Sequence, residues 1–491
     1  MQTSDGSTSF LRREWEGKTY SGKWAAPRGG THAVVEPATG ERLGEIGVAS
    51  ADDLDAAVKD AARAQPAWAA TPAEDRRAVL LKVARLLEEH TKEIAGWLVR
   101  EGGAIPPKAA TEIRFSLGEI LEAAALPTQA NGIVFPSSGP QRSMAERVPI
   151  GVVGVITPWN FPLILALRAV APAIALGNAV VLKPDIQTSV AGGAVVARLF
   201  EEAGLPAGVL QVMPGGPETG EALVRHPRVG MISFTGSTAV GRRVGEIAGG
   251  MLKSVSLELG GNNAFIVLDD ADLDAASSNG AWGSYLHQGQ ICMAAGRHIV
   301  HESIAEQYVA RLVERARRLP VGDPHRAEVA LGPLISKKQL DRVARIVDAS
   351  VKAGAEVRAG ASHEALFYKP TVLARVRPGM PAFDEEIFGP VAPVTTFKDE
   401  EEAIELANAS AYGLSAAVQS RSTSRGLAVA RRLRSGMVHV NDQTVNVDAI
   451  APFGGMGCSG NGTRYGRAAT LDSFTQWQWI TVKDKASEYP F

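Results

Sequence analysis

Between Gly151 and Leu268 the chain alternates short apolar runs with longer stretches of helical texture. The apolar runs are Val152 to Ile156, Ala179 to Lys183, Val209 to Met213, Met231 to Phe234 and Ser254 to Leu257. This pattern predicts β-α-β units, which close into a parallel sheet covered by helices on both faces. Ligands of such sheets sit beyond the carboxyl ends of the strands. Lys183, the turn Thr235-Gly236-Ser237 and Glu258 stand at those ends and are therefore candidates for binding or chemistry. The fold class is α/β.

The flanking segments read differently. Residues 1 to about 50 are polar and rich in Gly and Pro, with one strand expected at His32 to Val35. Thr71-Pro72-Ala73-Glu74 combines an N-cap Thr, a first-turn Pro and a Glu at the capping-box position. Behind it Val79, Leu80, Val83, Leu86, Leu87, Ile94, Trp97 and Leu98 recur at helical spacing until Gly102-Gly103. A hairpin standing off the body is expected at 131–147, and the tail from Ser473 to Phe491 is its natural partner. A second alternating block follows Asn263 to Leu268, with strands expected at His298 to Val300, Val391 to Phe397, Ser415 to Val418 and Met437 to Asn441.

Composition narrows the classes. The chain has 491 residues, 45% of them hydrophobic and 21% charged, with a formal charge of −2, so no nucleic-acid or anionic-membrane surface is expected. The apolar stretch from Pro162 to Leu182 contains Arg168, Pro172, Gly177 and Asn178, and reads as helix, turn and strand, not as a membrane span. Met1 to Gly6 lacks a basic segment followed by an apolar run, so a cytoplasmic protein is expected. The two cysteines, Cys292 and Cys458, fit neither a metal site nor a disulfide framework.

Cys292 lies among small residues in Gln288-Gly289-Gln290-Ile291-Cys292-Met293-Ala294-Ala295-Gly296-Arg297. A thiol attacks only as thiolate and needs a partner or local field to become one; the other reading is a small buried hydrophobe. Glu258 is a carboxylate closing an apolar strand, where burial raises its pKa and suits it to general-base work, unless an Arg or Lys pairs with it. Asn160, in Pro158-Trp159-Asn160-Phe161-Pro162, is a rigidly held amide of the kind that stabilises an oxyanion. Gly236 and Ser237 open a helix whose free N–H groups suit a phosphate, and Lys183 is either a ligand-binding cation or a solvated strand end.

These motifs, together with Glu385-Glu386-Ile387-Phe388-Gly389-Pro390 and Pro452-Phe453-Gly454-Gly455, resemble the aldehyde dehydrogenase superfamily over essentially the whole chain and in the family's order. Glu258 and Cys292 are 34 residues apart, which is also the family's interval. The resemblance implies a Rossmann-type cofactor domain (1–130 and 148–260), an α/β catalytic domain (261–472) and a small β oligomerisation arm (131–147 and 473–491) that joins protomers into a homodimer or homotetramer. It implies oxidation of an aldehyde through a Cys292 thiohemiacetal and thioester, with Asn160 and the Cys292 N–H holding the oxyanion and Glu258 activating water. It implies Ile156, Trp159, Lys183, Gly216, Gly236, Ser237, Glu386 and Phe388 around NAD or NADP.

Lys183-Pro184-Asp185-Ile186-Gln187-Thr188 and Gln290-Ile291-Cys292-Met293 are most similar to the bacterial benzaldehyde and vanillin dehydrogenases. The pocket candidates Phe161, Leu165, Ile291, Met293 and Phe453 suit an aromatic aldehyde. Arg168 stands where many relatives have an aromatic residue. Ile186 stands where many NAD-preferring relatives have a Glu on the ribose, so NAD with measurable NADP use is expected. Three other readings compete: an aliphatic or semialdehyde dehydrogenase, a CoA-acylating enzyme or esterase, and a non-catalytic binding relative. Glu258 argues against acylation of CoA, and the intact Cys292, Glu258 and Asn160 argue against a non-catalytic relative.

Overall fold

The computed structural model describes residues 9–491; Met1 to Gly6, read above for a secretory leader, lie outside the described residues. Two seven-stranded sheets organise the chain. In the first, Ser254–Glu258, Val229–Thr235, Val152–Ile156, Ala179–Lys183 and Leu210–Val212 run parallel in that spatial order. Thr19–Ser21 extends it antiparallel to Leu210–Val212, and Trp24–Ala25 forms the far edge. These two short strands and Arg42–Gly47, which pairs with Thr31–Val35, carry too few apolar residues to show as strands in the sequence.

Chain order places Val152–Ile156 beside Ala179–Lys183 on one flank and Val229–Thr235 on the other. The connections diverge at this point, and the divergence opens a crevice at the strands' carboxyl ends. The loops Thr157 to Asn160 and Gly236 to Ser237 leave from its two sides.

The second sheet has the order Glu356–Ala359, Thr371–Ala374, Val391–Phe397, Ala295–His301, Asn263–Val267, Ser415–Gln419, Met437–Val440, all parallel except the first pair. Its central strands are buried along nearly their whole length because helices cover both faces; Phe265, Ile266 and Val267 are fully buried. The loop from Glu258 to Asn263 joins the two sheets, so the end of one and the start of the other are fixed to each other at the crevice.

The helical expectation near residue 71 needs correction. The helix is Ala73–Glu89, its N-cap position is Pro72, and no side chain caps it. The Thr71 hydroxyl donates back to the Ala67 carbonyl at 3.1 Å, the end of the preceding helix. The apolar run breaks at His90 into a second helix, Thr91–Arg100. Leu80, Val83, Leu87, Ile94 and Leu98 are nonetheless all core, since a kink preserves the buried stripe. The hairpin forms from Gly132–Phe135 and Arg142–Pro149, and Thr475–Val482 adds antiparallel to the latter, Thr475 opposite Pro149 and Val482 opposite Arg142. No described helix is long and apolar enough to cross a membrane.

Candidate active site

The turn before Cys292 is built from unusual backbone. His287, Gln288 and Gly289 all have positive φ, at 48°, 57° and 67°, a region that costs a residue with a Cβ on the order of 1 kcal/mol or more. Side-chain hydrogen bonds hold the conformation. Gln288 Nε2 donates to the carbonyls of Gly103 at 3.0 Å and Pro333 at 2.8 Å. Gln290 Oε1 accepts from the Ile335 N–H at 3.0 Å. Asn263 Nδ2 donates to the carbonyls of Cys292 and Ala294 at 2.9 and 2.8 Å. A Cβ on Gly289 would collide with the Gly389 carbonyl, so glycine is required there.

Cys292 stands where two cavities meet. One, of about 440 Å³, is lined by Trp159, Gly236, Ser237, Glu258, Glu386 and Phe388. The other, of about 360 Å³, is lined by Phe115, Phe161, Arg168, Trp282, Met293 and Phe453. Ile291 also lines the second, and Asn160, Leu165 and Cys292 line both. All six residues expected around a substrate therefore face the second cavity.

Asn160 is buried and its Nδ2 donates to the Gln290 carbonyl at 2.8 Å. An amide nitrogen has two hydrogens, so this bond fixes the side chain and leaves one N–H for a ligand at the cavity junction. Neither carboxylate oxygen of buried Glu258 has a hydrogen-bond partner. The alternative of a Glu258 paired with Arg or Lys is thus not what the structure has. Burial pushes its pKa up to about 8, and Arg168 and Arg464 temper the rise. Burial also raises the Cys292 thiol to about 12, with the carboxylates of Glu386 and Glu258 adding to the effect and Arg168 opposing it. The resting cysteine is therefore a thiol at neutral pH, with no cationic partner in contact, and deprotonation must accompany attack.

Arg168 is itself buried; its Nε donates to Glu119 at 2.8 Å, and its guanidinium lies 4.3 Å from the centre of the Phe453 ring. The pair neutralises an otherwise costly charge inside an apolar cavity.

The crevice fits a dinucleotide. The helix Thr238–Gly250 starts at Ser237, whose hydroxyl makes no capping bond, so its first N–H groups are free for an anion. A Cβ on Gly236 would come within 2.6 Å of the Phe234 ring, and one on Gly260 would strike the Glu386 carboxylate. Glu386 accepts from the Gly261 N–H at 2.9 Å. Trp159 and Phe388 meet edge to face, centroids 5.5 Å apart, on the same wall.

Ile156, Lys183 and Gly216 stand at neighbouring strand and helix ends without lining this cavity. Lys183 is buried, and burial lowers its pKa against the pull of Asp185 and Glu218. Ile186 does not face the cavity; it packs on the core, while Asp185 and Gln187 line the opening.

Sequence reasoning passed over Lys108, Glu112, His287 and Gln288. Lys108 and Glu112 have the i,i+4 spacing of a solvated surface pair, and nothing local distinguishes a buried one. The left-handed backbone at 287 and 288 carries no glycine to announce it.

The chain matches the aldehyde dehydrogenase family over residues 24–480. It is 55% identical over 485 residues to a vanillin dehydrogenase of Amycolatopsis sp., covering 98% of this chain and 100% of that protein. It is 54% identical over 478 residues to a benzaldehyde dehydrogenase [NAD(+)] of Pseudomonas putida, covering 97% and 98%. A solved salicylaldehyde dehydrogenase from Pseudomonas putida G7, complexed with salicylaldehyde, superimposes with a TM-score of 0.93 at 36% identity, over 96% of this chain and 99% of that one. The shared fold, the near-complete coverage and the Cys292, Glu258 and Asn160 cluster lead to one conclusion: this chain belongs to the aldehyde dehydrogenase family.

Proposed function

We propose that this protein oxidises an aromatic aldehyde to the carboxylic acid with NAD as its working cofactor. The observation that carries the reading is the second cavity, walled by Phe115, Phe161, Trp282, Met293 and Phe453 and ending on the Cys292 thiol. Flat aromatic rings fill such a slot with little loss of apolar contact. The names of the vanillin and benzaldehyde dehydrogenases it resembles support the same substrate class.

In this reading the Cys292 Sγ adds to the carbonyl carbon as its proton passes to Glu258, the free carboxylate beside it. The carbonyl electron pair becomes an oxyanion that accepts from the second Asn160 N–H and from the Cys292 backbone N–H. Bound nicotinamide supplies the hydride acceptor for oxidation of the thiohemiacetal to a thioester. Glu258 gives up that first proton to solvent before deacylation, then takes a proton from water as the water oxygen attacks the thioester carbonyl. The C–S bond breaks, and the same proton passes to the departing sulfur to leave the acid and the thiol. Trp159, Lys183, Gly216, Gly236, Ser237, Glu386 and Phe388 would hold the dinucleotide.

Residues 1–130 and 148–260 form the cofactor domain in this reading and 261–472 the catalytic domain. Residues 131–147 and 473–491 would be the arm that joins a homodimer or homotetramer. Val134 (80% exposed) and Trp479 (73% exposed) leave apolar surface on that arm that a second copy would cover. Light scattering should give a multiple of the 51.7 kDa chain, and a strict monomer at micromolar concentration would remove the arm's role.

Cofactor-reduction assays on a panel of aromatic and aliphatic aldehydes with both cofactors test the substrate reading. Benzaldehyde-type substrates are expected to show the highest kcat/KM, at least tenfold above short aliphatic ones, and higher with NAD than with NADP. Asp185 and Glu218 put negative charge around Lys183, which would disfavour a 2′-phosphate bound at that lysine. Glu218→Gln should therefore raise NADP use relative to NAD by up to about tenfold, ~1.4 kcal/mol, whereas Ile186→Glu should affect both cofactors alike. An aliphatic optimum would overturn the substrate class.

A further inference from the structure

The strand–helix connection that carries Asn160 is held by a buried ion pair on another helix, whose Lys108 also borders the second cavity. Lys108 and Glu112 lie one turn apart on the helix Pro106–Ala125, with side chains only 2% and 0% exposed and 2.5 Å between Nζ and Oε2. Lys108 Nζ also donates to the backbone carbonyl of Asn160 at 2.8 Å, and sits 4.0 Å above the centre of the Phe161 ring. Glu112 Oε1 accepts from the N–H of Leu163 at 2.9 Å and of Ile164 at 3.4 Å. Those two groups belong to the first turn of the helix Pro162–Ala175, whose own N-cap residue, Phe161, supplies no side-chain cap. The remaining carboxylate oxygen is the one that holds Lys108.

Two charges in so dry a place are expensive unless each is paired and hydrogen-bonded, and here both are. Their partners all fall within the five residues 160–164, the end of the connection and the first turn of the helix. Glu112 fixes where the helix starts, Lys108 fixes the peptide plane after Asn160, and the Gln290 carbonyl fixes the Asn160 side chain two residues before the nucleophile. His287 also packs against the Phe161 ring, edge to face with 5.6 Å between ring centres. The amide hydrogen that is left has little freedom of direction.

We infer that Lys108 and Glu112 are positioning residues for the oxyanion donor Asn160, setting the direction of its free N–H toward the carbon that Cys292 attacks. The inference rests on the reading of Asn160 given above. A donor misplaced by about 1 Å can lower a rate by about 10²-fold, so the pair acts on the first half-reaction and not on cofactor binding.

The test is a cycle of variants followed by rapid mixing, with the rate of the first burst of reduced cofactor as the readout. Lys108→Met with Glu112→Gln removes both charges together. It also keeps a carbonyl acceptor for the Leu163 N–H, so no lone charge is left to unfold the protein. Lys108→Met alone is the second variant, and dinucleotide Kd reports that each is folded.

The burst rate is expected to fall by about 30- to 100-fold in both, with KM for the aldehyde and the dinucleotide Kd within about threefold of the parent. In an Asn160→Ala background the same changes should cost less than about twofold more, because the residue they act through is gone. Full additive loss in that background would overturn the inference, as would a burst unchanged in the double variant. A higher KM with unchanged burst would also overturn it, showing Lys108 to be a substrate contact. Asn160→Ala with a normal burst is a separate failure: it would remove the donor itself.

Discussion

Replacement of Cys292 by Ala is expected to abolish aldehyde oxidation, on the order of 10⁴-fold or more, while dinucleotide affinity and thermal stability stay near those of the parent. The scale follows from removing a covalent nucleophile outright. Binding should survive because the cavity that fits a dinucleotide is shaped by Trp159, Gly236, Ser237, Glu386 and Phe388, none of which depends on the thiol. The same geometry sets the chemistry of the parent cysteine. With its pKa pushed up to about 12 by burial and two carboxylates, alkylation by iodoacetamide should keep accelerating with pH through pH 9, without a plateau near neutrality. Cys458, whose sulfur accepts from Arg242 Nη2 at 3.1 Å beside the helix Thr238–Gly250, should tolerate Ala with turnover within a few-fold. Activity retained by Cys292→Ala would end the covalent mechanism, and an alkylation plateau near pH 7 would show an activating cation that the resting site lacks.

The sheets were legible because buried parallel strands have to be continuous apolar runs. Ala179–Lys183 was read to the residue and Val152–Ile156 likewise. Short strands near the sheet's margin such as Thr19–Ser21 and Trp24–Ala25 were not, since two or three residues are too few to write an apolar pattern. Thr71 misled for a related reason. A capping box is a local signal, and the preceding helix end outcompeted it for the hydroxyl.

Within the site, the residues that meet at Cys292 were visible because each carries an unusual group for its place: a thiol among small residues, a carboxylate closing an apolar strand, an amide between two aromatic residues flanked by prolines. What holds those residues was not. Ile186 looked like a ribose neighbour by its place in the motif, but the short 3₁₀ turn Ile186–Thr188, capped by Asp185, rotates it onto the core and presents Asp185 and Gln187 instead. Lys108 and Glu112 wrote an ordinary helix-surface pair, and only the packing of two helices reveals them as buried.

Glu258→Gln is expected to separate the two halves of the reaction. Reduced cofactor should appear in a burst close to one per site, slowed because a proton acceptor for the thiol is gone. Steady-state release of acid should then fall further, by about 10²–10⁴-fold, the range of a lost general base. The pH dependence follows from the same carboxyl. Only its ionised form can take a proton from water, and burial raises its pKa to about 8. Parental turnover should thus fall about tenfold per pH unit below that value and level off above it, and the Gln variant should lose this limb.

Stability should move the opposite way. A carboxyl whose folded pKa lies above its unfolded value of 4.5 favours the fold fully below pH 4.5 and loses that contribution as pH rises through about 8. Above it, an ionised group with two unpartnered oxygens is buried. Gln carries no charge to ionise, so Glu258→Gln should melt higher than the parent at pH 9, with the gap closing toward pH 5. Equal loss of burst and steady state would make thiol deprotonation the main task of Glu258, and a variant that melts lower at pH 9 would mean that the carboxylate has a partner after all.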